Sequence, residues 1–159
     1  MAEGTRRMAE GTLTSTAERE MTDTRVINAP RELIWKVWTE QVHVVQWWGP
    51  DGFTNTTHSM DVRVGGEWVH TMHGPDGTDY PNRIVYVELD EPEKIVYEHI
   101  SLPWHRTTIL FEDLGGKTKL TFRMVFETVE EKKKAIVVHK VDAGLKQHLG
   151  RMEAYVAKL

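Results

Sequence analysis

The stretch that most limits how this chain can fold is its end, residues 129–159. Val138, Val141, Leu145, Leu149, Met152, Val156 and Leu159 recur at spacings of three and four, which places them on one stripe of an α-helix. Lys132, Lys133, Lys140, Lys146, Arg151 and Lys158 fall on the opposite side and face water. The Lys132-Lys133-Lys134 run reads as a solvated helix face rather than a binding patch. Thr128 and Glu131 form a capping-box pattern, and Glu130 and Glu131 sit where the positive end of the helix dipole favours carboxylates. A helix of about 28 residues is roughly 42 Å long. Its apolar stripe needs a broad partner, and the rest of the chain has to supply one.

The partner is legible as alternation. From Phe53 onward the apolar pattern has period two, punctuated by turn signals at Gly65-Gly66, Pro75-Asp76-Gly77, Asp90-Glu91-Pro92 and Gly115-Gly116. The spacing predicts six strands, over 53–64, 67–73, 80–89, 94–100, 106–114 and 117–126. A Thr-rich segment over 14–27 adds a seventh, so the expectation is a seven-stranded antiparallel sheet with one apolar face for the long helix.

Two short helices fill the gap between the first strand and the meander. Asn28 is the expected N-cap of the first, with Pro30 in its first turn and Leu33, Ile34, Val37 and Trp38 on its apolar face. The second runs over 43–48 and stops at Gly49-Pro50. Trp35 and Trp38, three apart, turn toward the sheet. Trp47 and Trp48 are neighbours and are not expected to point inward together; one of them guards an opening at Gly49-Pro50.

Composition excludes more than it selects. A chain of 159 residues is most simply one domain, here 13–159, able to bury roughly 68 to 70% of its unfolded surface. Residues 1–12 repeat Met-Ala-Glu-Gly-Thr and are expected to form a mobile extension. No apolar run approaches the ~20 residues that span a bilayer, and no secretory signal is read at the N-terminus, so no membrane insertion is expected and the cytoplasm is the expected location. Without cysteine there are no disulfides, thiolate nucleophiles or cysteine-ligated metals. A net charge of −4 with scattered Lys and Arg leaves no footprint for nucleic acid.

Several motifs carry a resemblance. Ala29-Pro30-Arg31-Glu32-Leu33-Ile34-Trp35, Trp38-Thr39, Gln46-Trp47-Trp48-Gly49-Pro50, Met60-Asp61-Val62-Arg63-Val64-Gly65-Gly66-Glu67-Trp68, Gly74-Pro75-Asp76-Gly77-Thr78 and Gly115-Gly116-Lys117-Thr118 are similar to the activator-of-heat-shock-protein-90-ATPase-like family of the START-like (SRPBCC) superfamily. So is the ending, Gly144-Leu145 through Leu149 and Met152 to Tyr155. The resemblance runs from about Arg25 to the C-terminus and implies an α+β helix-grip (START-like) fold: a curved seven-stranded antiparallel sheet, two short helices and a long C-terminal helix packed over the sheet. Relatives usually carry Trp where this chain has Leu145 and Gly where it has Ile84.

In START-like proteins the long helix closes over the sheet and leaves an apolar cavity. The Trp68, His70, Met72 phase of its strand is taken as inward because it holds the larger apolar volumes. The same reasoning selects Tyr86, Tyr97, His99, Ile109, Phe122 and Met124 from the other strands. Val141, Leu145 and His148, at spacings of four and three, complete the expected lining from the helix. The implied function is binding of a small apolar or aromatic molecule without cofactor or metal; a homodimer is left open.

Two alternatives stand beside it. A polyketide cyclase or dehydratase-like enzyme of the same superfamily would use His70, His99 or His148 with Tyr86 or Tyr97 for acid–base chemistry. A chaperone-interacting module would resemble the co-chaperone that names the family, although that protein has an extra N-terminal domain. His70 and His73 do not make a metal pair, since an odd spacing on a strand sends their rings to opposite faces. His58 and His105 complete no ligand set with recognisable spacing.

Overall fold

The computed structural model describes residues 16–159; the repeated Met-Ala-Glu-Gly-Thr segment, the expected mobile extension and the first two residues of the expected N-terminal strand lie outside them. A short 3-10 turn, Ala17–Arg19, leads into β1, Glu20–Ile27. Helices α1, Arg31–Thr39, and α2, Gln41–Val44, follow. Pro30, not Asn28, is the N-cap of α1, and it makes no side-chain cap. Its fixed φ of −68° already suits the helix entrance, so Asn28 stays exposed outside it.

The meander is continuous: β2, Thr54–Met60; β3, Glu67–His73; β4, Asp79–Asp90; β5, Lys94–His99; β6, His105–Asp113; and β7, Thr118–Phe126. Together with β1 they form one seven-stranded sheet in the order β1-β7-β6-β5-β4-β3-β2, with every pairing antiparallel. The register slips between Thr57 and Ser59 in β2 and between Tyr86 and Glu88 in β4. Bulges of this kind bend a strand and increase its twist, which curves the sheet toward the helices. At the β2–β3 turn a Cβ on Gly66 would collide with the Asp61 carbonyl, so only glycine fits.

The expected single C-terminal helix is two. Helix α3 spans Val129–Val137 and α4 spans Val141–Val156, and Lys140 between them has φ 52° in the left-handed region. Thr128 caps α3 as its sequence predicts, its Oγ1 accepting from the Glu131 N–H at 3.0 Å. The β-branched run Ile136-Val137-Val138 is a weak helix former. Val137 and Val138 are 73% and 62% exposed, and Leu159 is 55% exposed, so the apolar stripe is shorter at both ends than the spacing predicts, and Val141 is half-buried. Leu145, Leu149, Met152 and Val156 are the stripe that is buried.

Polar ties help fasten α4 over the sheet. Arg25 of β1 donates from Nη2 to the Lys146 carbonyl at 3.0 Å and from Nη1 to Glu153 Oε1 at 3.3 Å. His43 of α2 lies 2.7 Å through Nδ1 from the Tyr155 hydroxyl. Arg151 reaches forward to the α2–β2 loop. Under these ties the aromatic core closes: Trp35 meets Phe111 edge-on at 5.9 Å, and Trp38 meets Trp47 at 4.7 Å. Both Trp47 and Trp48 are buried, contrary to the expectation that only one turns inward. The reason is the chain path. Helix α2 ends at Val44, a turn carries Trp47 back under α1, where its Nε1–H donates to the Val37 carbonyl at 3.2 Å, and Gly49 at φ 98° releases Trp48 toward α4.

Candidate functional site

Between the concave face of the sheet and α4 lies a cavity of about 260 Å³, open on one side. Its floor is the inner face of five strands: Met72, Asn82, Tyr97 with His99, His105, and Phe122 with Met124. Its roof is Val141, Gly144, Leu145 and His148 of α4, with His139 at the break before it. The third wall is the loop Trp48-Gly49-Pro50. No Asp, Glu, Lys or Arg is among the described residues that line it.

Eight residues selected from the sequence line this space: Met72, Tyr97, His99, Phe122, Met124, Val141, Leu145 and His148. Trp68, His70, Tyr86 and Ile109 face the same way but lie in the core outside it. Trp48 separates the first two from the cavity, its ring 4.9 Å from that of Trp68 and 6.0 Å from that of His70. Ile109 sits two residues from Phe111, on which α1 packs. Strand alternation tells which face a side chain takes, and it does not tell how deep another element covers it.

Asn82, His105 and His139 line the cavity in addition to the residues expected from the sequence. Asn82 shares the inward phase of Ile84 and Tyr86 and was legible from alternation. His105 depended on the register that sets it opposite His99. His139 depended on the helix break. The loop at Gly49-Pro50 borders the cavity where the sequence predicts an opening, and it meets α4 at Gly144. What approaches Gly144 is Pro50, whose Cγ would lie 3.6 Å from an added Cβ, an ordinary contact. Gly144→Ala is therefore expected to raise stability by up to about 1 kcal/mol, the helix-propensity difference, in urea titrations; a loss would mean that the loop cannot accommodate the methyl group.

Polar groups cross the floor in a band. His99 Nε2 lies 2.6 Å from Asn82 Oδ1 and its Nδ1 lies 3.1 Å from the Pro103 carbonyl. Asn82 Nδ2 donates to the Tyr80 carbonyl at 3.0 Å, which orients the amide. His105 stacks on His99 with centroids 4.5 Å apart. Burial lowers the pKa of His99, and burial with the neighbouring His99 charge takes His105 well below the ordinary histidine value. On the roof the Gly49 N–H donates to His148 Nδ1 at 2.9 Å, so the neutral ring carries its proton on Nε2. Burial, and then the Arg151 charge, hold His148 at about 3.

His70 is 1% exposed, stacks on Trp68 at 3.7 Å, and has no hydrogen-bond partner at either ring nitrogen. Burial, helped by His99 and His58, places it at about 3. His73 points to the other face, 2.7 Å from Asp79, as the odd spacing requires. Burial raises both the Tyr97 and Tyr86 phenols. Among the described residues no group of three or more His, Asp or Glu side chains could hold a metal ion, and no helix is long and apolar enough to cross a membrane.

Known proteins place this architecture. A solution structure of an Arthrobacter aurescens protein superimposes with a TM-score of 0.84 at 18% identity, covering 92% of this chain and 90% of the other. A crystal structure from Nitrosomonas europaea gives 0.80 at 20% identity, covering 89% and 96%. An AHSA1-like protein from Aeromonas hydrophila gives 0.70 at 18% identity, covering 87% and 93%. At these identities the likeness is one of fold. No curated protein matches in sequence. Residues 28–157, from the loop before α1 to the end of α4, match the family described as Activator of Hsp90 ATPase homolog 1-like protein, and with its seven-stranded curved sheet gripping a long C-terminal helix the chain belongs to that family and carries the START-like fold.

Proposed function

We propose that the protein binds a small, largely apolar or aromatic molecule in the cavity between the sheet and α4. The observation that carries this reading is an open space of about 260 Å³ with aromatic, Met and Leu walls and a few uncharged polar groups. Ligand sites are typically built this way. For scale, an apolar cavity of about 150 Å³ holds one benzene, so the space takes a ring with a short substituent.

Burial favours recognition over acid–base turnover. A general acid or base works best with a pKa near the working pH. His70 and His148 are held near 3, and the Tyr86 and Tyr97 phenols are pushed up, so all four stay neutral around pH 7. They remain hydrogen-bonding groups.

A thermal-shift screen of small aromatic compounds, confirmed by native mass spectrometry, tests the proposal. At a concentration of about 100 Kd a ligand stabilises by about 2.7 kcal/mol, or roughly 5 to 10 °C in Tm for a chain of this size. Leu145→Trp fills the cavity from the roof, with the residue that relatives usually carry there. It is expected to weaken binding at least about tenfold without lowering Tm, the loss reflecting excluded volume rather than unfolding. A panel without a single binder, or a Leu145→Trp protein that binds as well as the parent, would end this reading.

A further inference from the structure

The cavity's polar groups are not scattered. His70, Asn82, His99 and His105 lie on four consecutive strands, β3 to β6, as one band across the inner face of the sheet; Asn82 pairs with His70, and His105 with His99. Asn82, His99 and His105 reach the cavity, and His139 and His148 meet them from the roof. The other walls are apolar. A ligand filling this space therefore has two ends, one apolar and one that hydrogen-bonds.

The lining also bears on the charge of that polar end. A cationic ligand would find no carboxylate among the described lining residues. An anionic ligand would find rings able to take up a proton. His99 is arranged for it, because both of its nitrogens already face acceptors, Asn82 Oδ1 at 2.6 Å and the Pro103 carbonyl at 3.1 Å. A neutral imidazole has one N–H and can satisfy only one of them, whereas the imidazolium satisfies both. The groups around it do not supply the balancing charge. His105 stacks on it from β6, and His70 and His58 lie toward the β2–β3 edge. Tyr97 shares its strand face, and His139 and His148 close the roof. Glu98, the adjacent carboxylate, turns to the other face of the sheet and pairs with Arg106 at 3.3 Å. Burial accordingly keeps the His99 pKa low. Behind the loop wall, Arg151 adds a positive field to the same cavity, its guanidinium held by main-chain carbonyls.

We propose that the ligand is a small arylcarboxylic acid, its ring against Trp48, Phe122 and Leu145 and its carboxylate at the histidine band, with one proton taken up from solvent by His99 as it binds. The proton adds to the ring nitrogen that lacks one, no covalent bond to the ligand forms, and the new imidazolium is the counter-charge the cavity otherwise lacks. This rests on the cavity reading above and narrows it to a chemical class.

The test compares phenylacetate with its uncharged counterpart 2-phenylethanol by isothermal titration in phosphate and in Tris, buffers of different ionisation enthalpy. Near pH 7 the acid is expected to bind with uptake approaching one proton and the alcohol with none. The through-space attraction between the imidazolium, whose two N–H groups stay on Asn82 and Pro103, and the ligand carboxylate should make the acid at least about tenfold tighter near pH 6, and that preference should fall by up to about tenfold per pH unit above it. His99→Gln removes the proton acceptor, and Asn82→Asp places a competing carboxylate against Nε2. In either variant the acid-to-alcohol affinity ratio is expected to drop toward one and the uptake to vanish. An acid bound no better than the alcohol, or proton uptake that persists in both variants, overturns the proposal. Alcohol binding without acid binding overturns it while leaving the cavity reading intact; binding of neither probe also overturns it, and the cavity reading then stands or falls on the wider aromatic panel.

Discussion

Lowering the pH from about 7 to about 5 is expected to destabilise the fold by about 4 kcal/mol, through His70 and His148. Both are buried with pKa values of about 3, far below the ordinary 6.5 that they recover on unfolding. Below 6.5 the unfolded chain binds these two protons and the folded chain does not, so stability falls with pH and goes on falling until about 3. Each histidine contributes about 1.4 kcal/mol per pH unit, or about 2 kcal/mol by pH 5. His148 also loses the Gly49 N–H if its Nδ1 is protonated. His70 regains part of its cost, since a cation stacked on the face of Trp68 recovers roughly 0.5 to 2 kcal/mol. His99 and His105 shift in the same direction and steepen the slope. Urea denaturation at half-unit pH steps measures it. His148→Gln, whose amide oxygen can still accept the Gly49 N–H, should remove about one proton from the dependence. A flat profile between pH 7 and 5 would mean that these rings are either hydrated or already charged in the native state.

Replacing Arg151 by Met is expected to cost about 3 kcal/mol and to loosen the loop wall of the cavity. The guanidinium donates from Nη1 to the carbonyls of Trp48, Gly49 and Pro50 at 3.1, 2.9 and 2.7 Å, and from Nη2 to that of Phe53 at 2.9 Å. Hydrogen bonds to a charged group contribute about 1.5 to 3 kcal/mol each. Arg151 is only partly buried and water replaces some of these contacts, so the total is well below the sum. Met keeps the stem's packing, which confines the loss to the polar head. Two weaker ties remain, Gly49 N–H to His148 and Asp51 N–H to Gln147 Oε1 at 3.1 Å. Amide exchange at Gly49 and Asp51 should therefore accelerate at least about tenfold while exchange in the central strands changes only with global stability. A loss under about 1 kcal/mol with unchanged exchange would show that the loop is held by packing alone.

The same loop shows where reading the sequence stops. The six strands of the meander were legible to within about two residues at most ends, because period-two alternation and Gly- or Pro-containing turns are local properties. The C-terminal apolar stripe was legible for the same reason from Leu145 to Val156. Its extension to Val138 failed because periodicity measures facing and carries no information on where a helix is interrupted. Lys140 in the left-handed region ends one helix and begins the next, and that break brings His139 to the cavity's edge.

The residues 20–156 carry their secondary structure, the inward phase of each strand and the capping of α3 in short-range chemistry: side-chain alternation, turn geometry and a Thr hydroxyl three residues from an amide. Which inward residues bound a cavity, and which are sealed in core, came from contacts between segments far apart in the chain. Trp48, placed by a glycine at φ 98° and an arginine some hundred residues later, covers Trp68 and His70 and leaves Met72, Tyr97 and His99 uncovered. The histidine band exists because strand register sets His99 beside His105 and brings Asn82 within reach. Register is a sum of weak pairings over whole strands, and depth is set by what the loops and helices happen to cover; neither is written in any one stretch of residues.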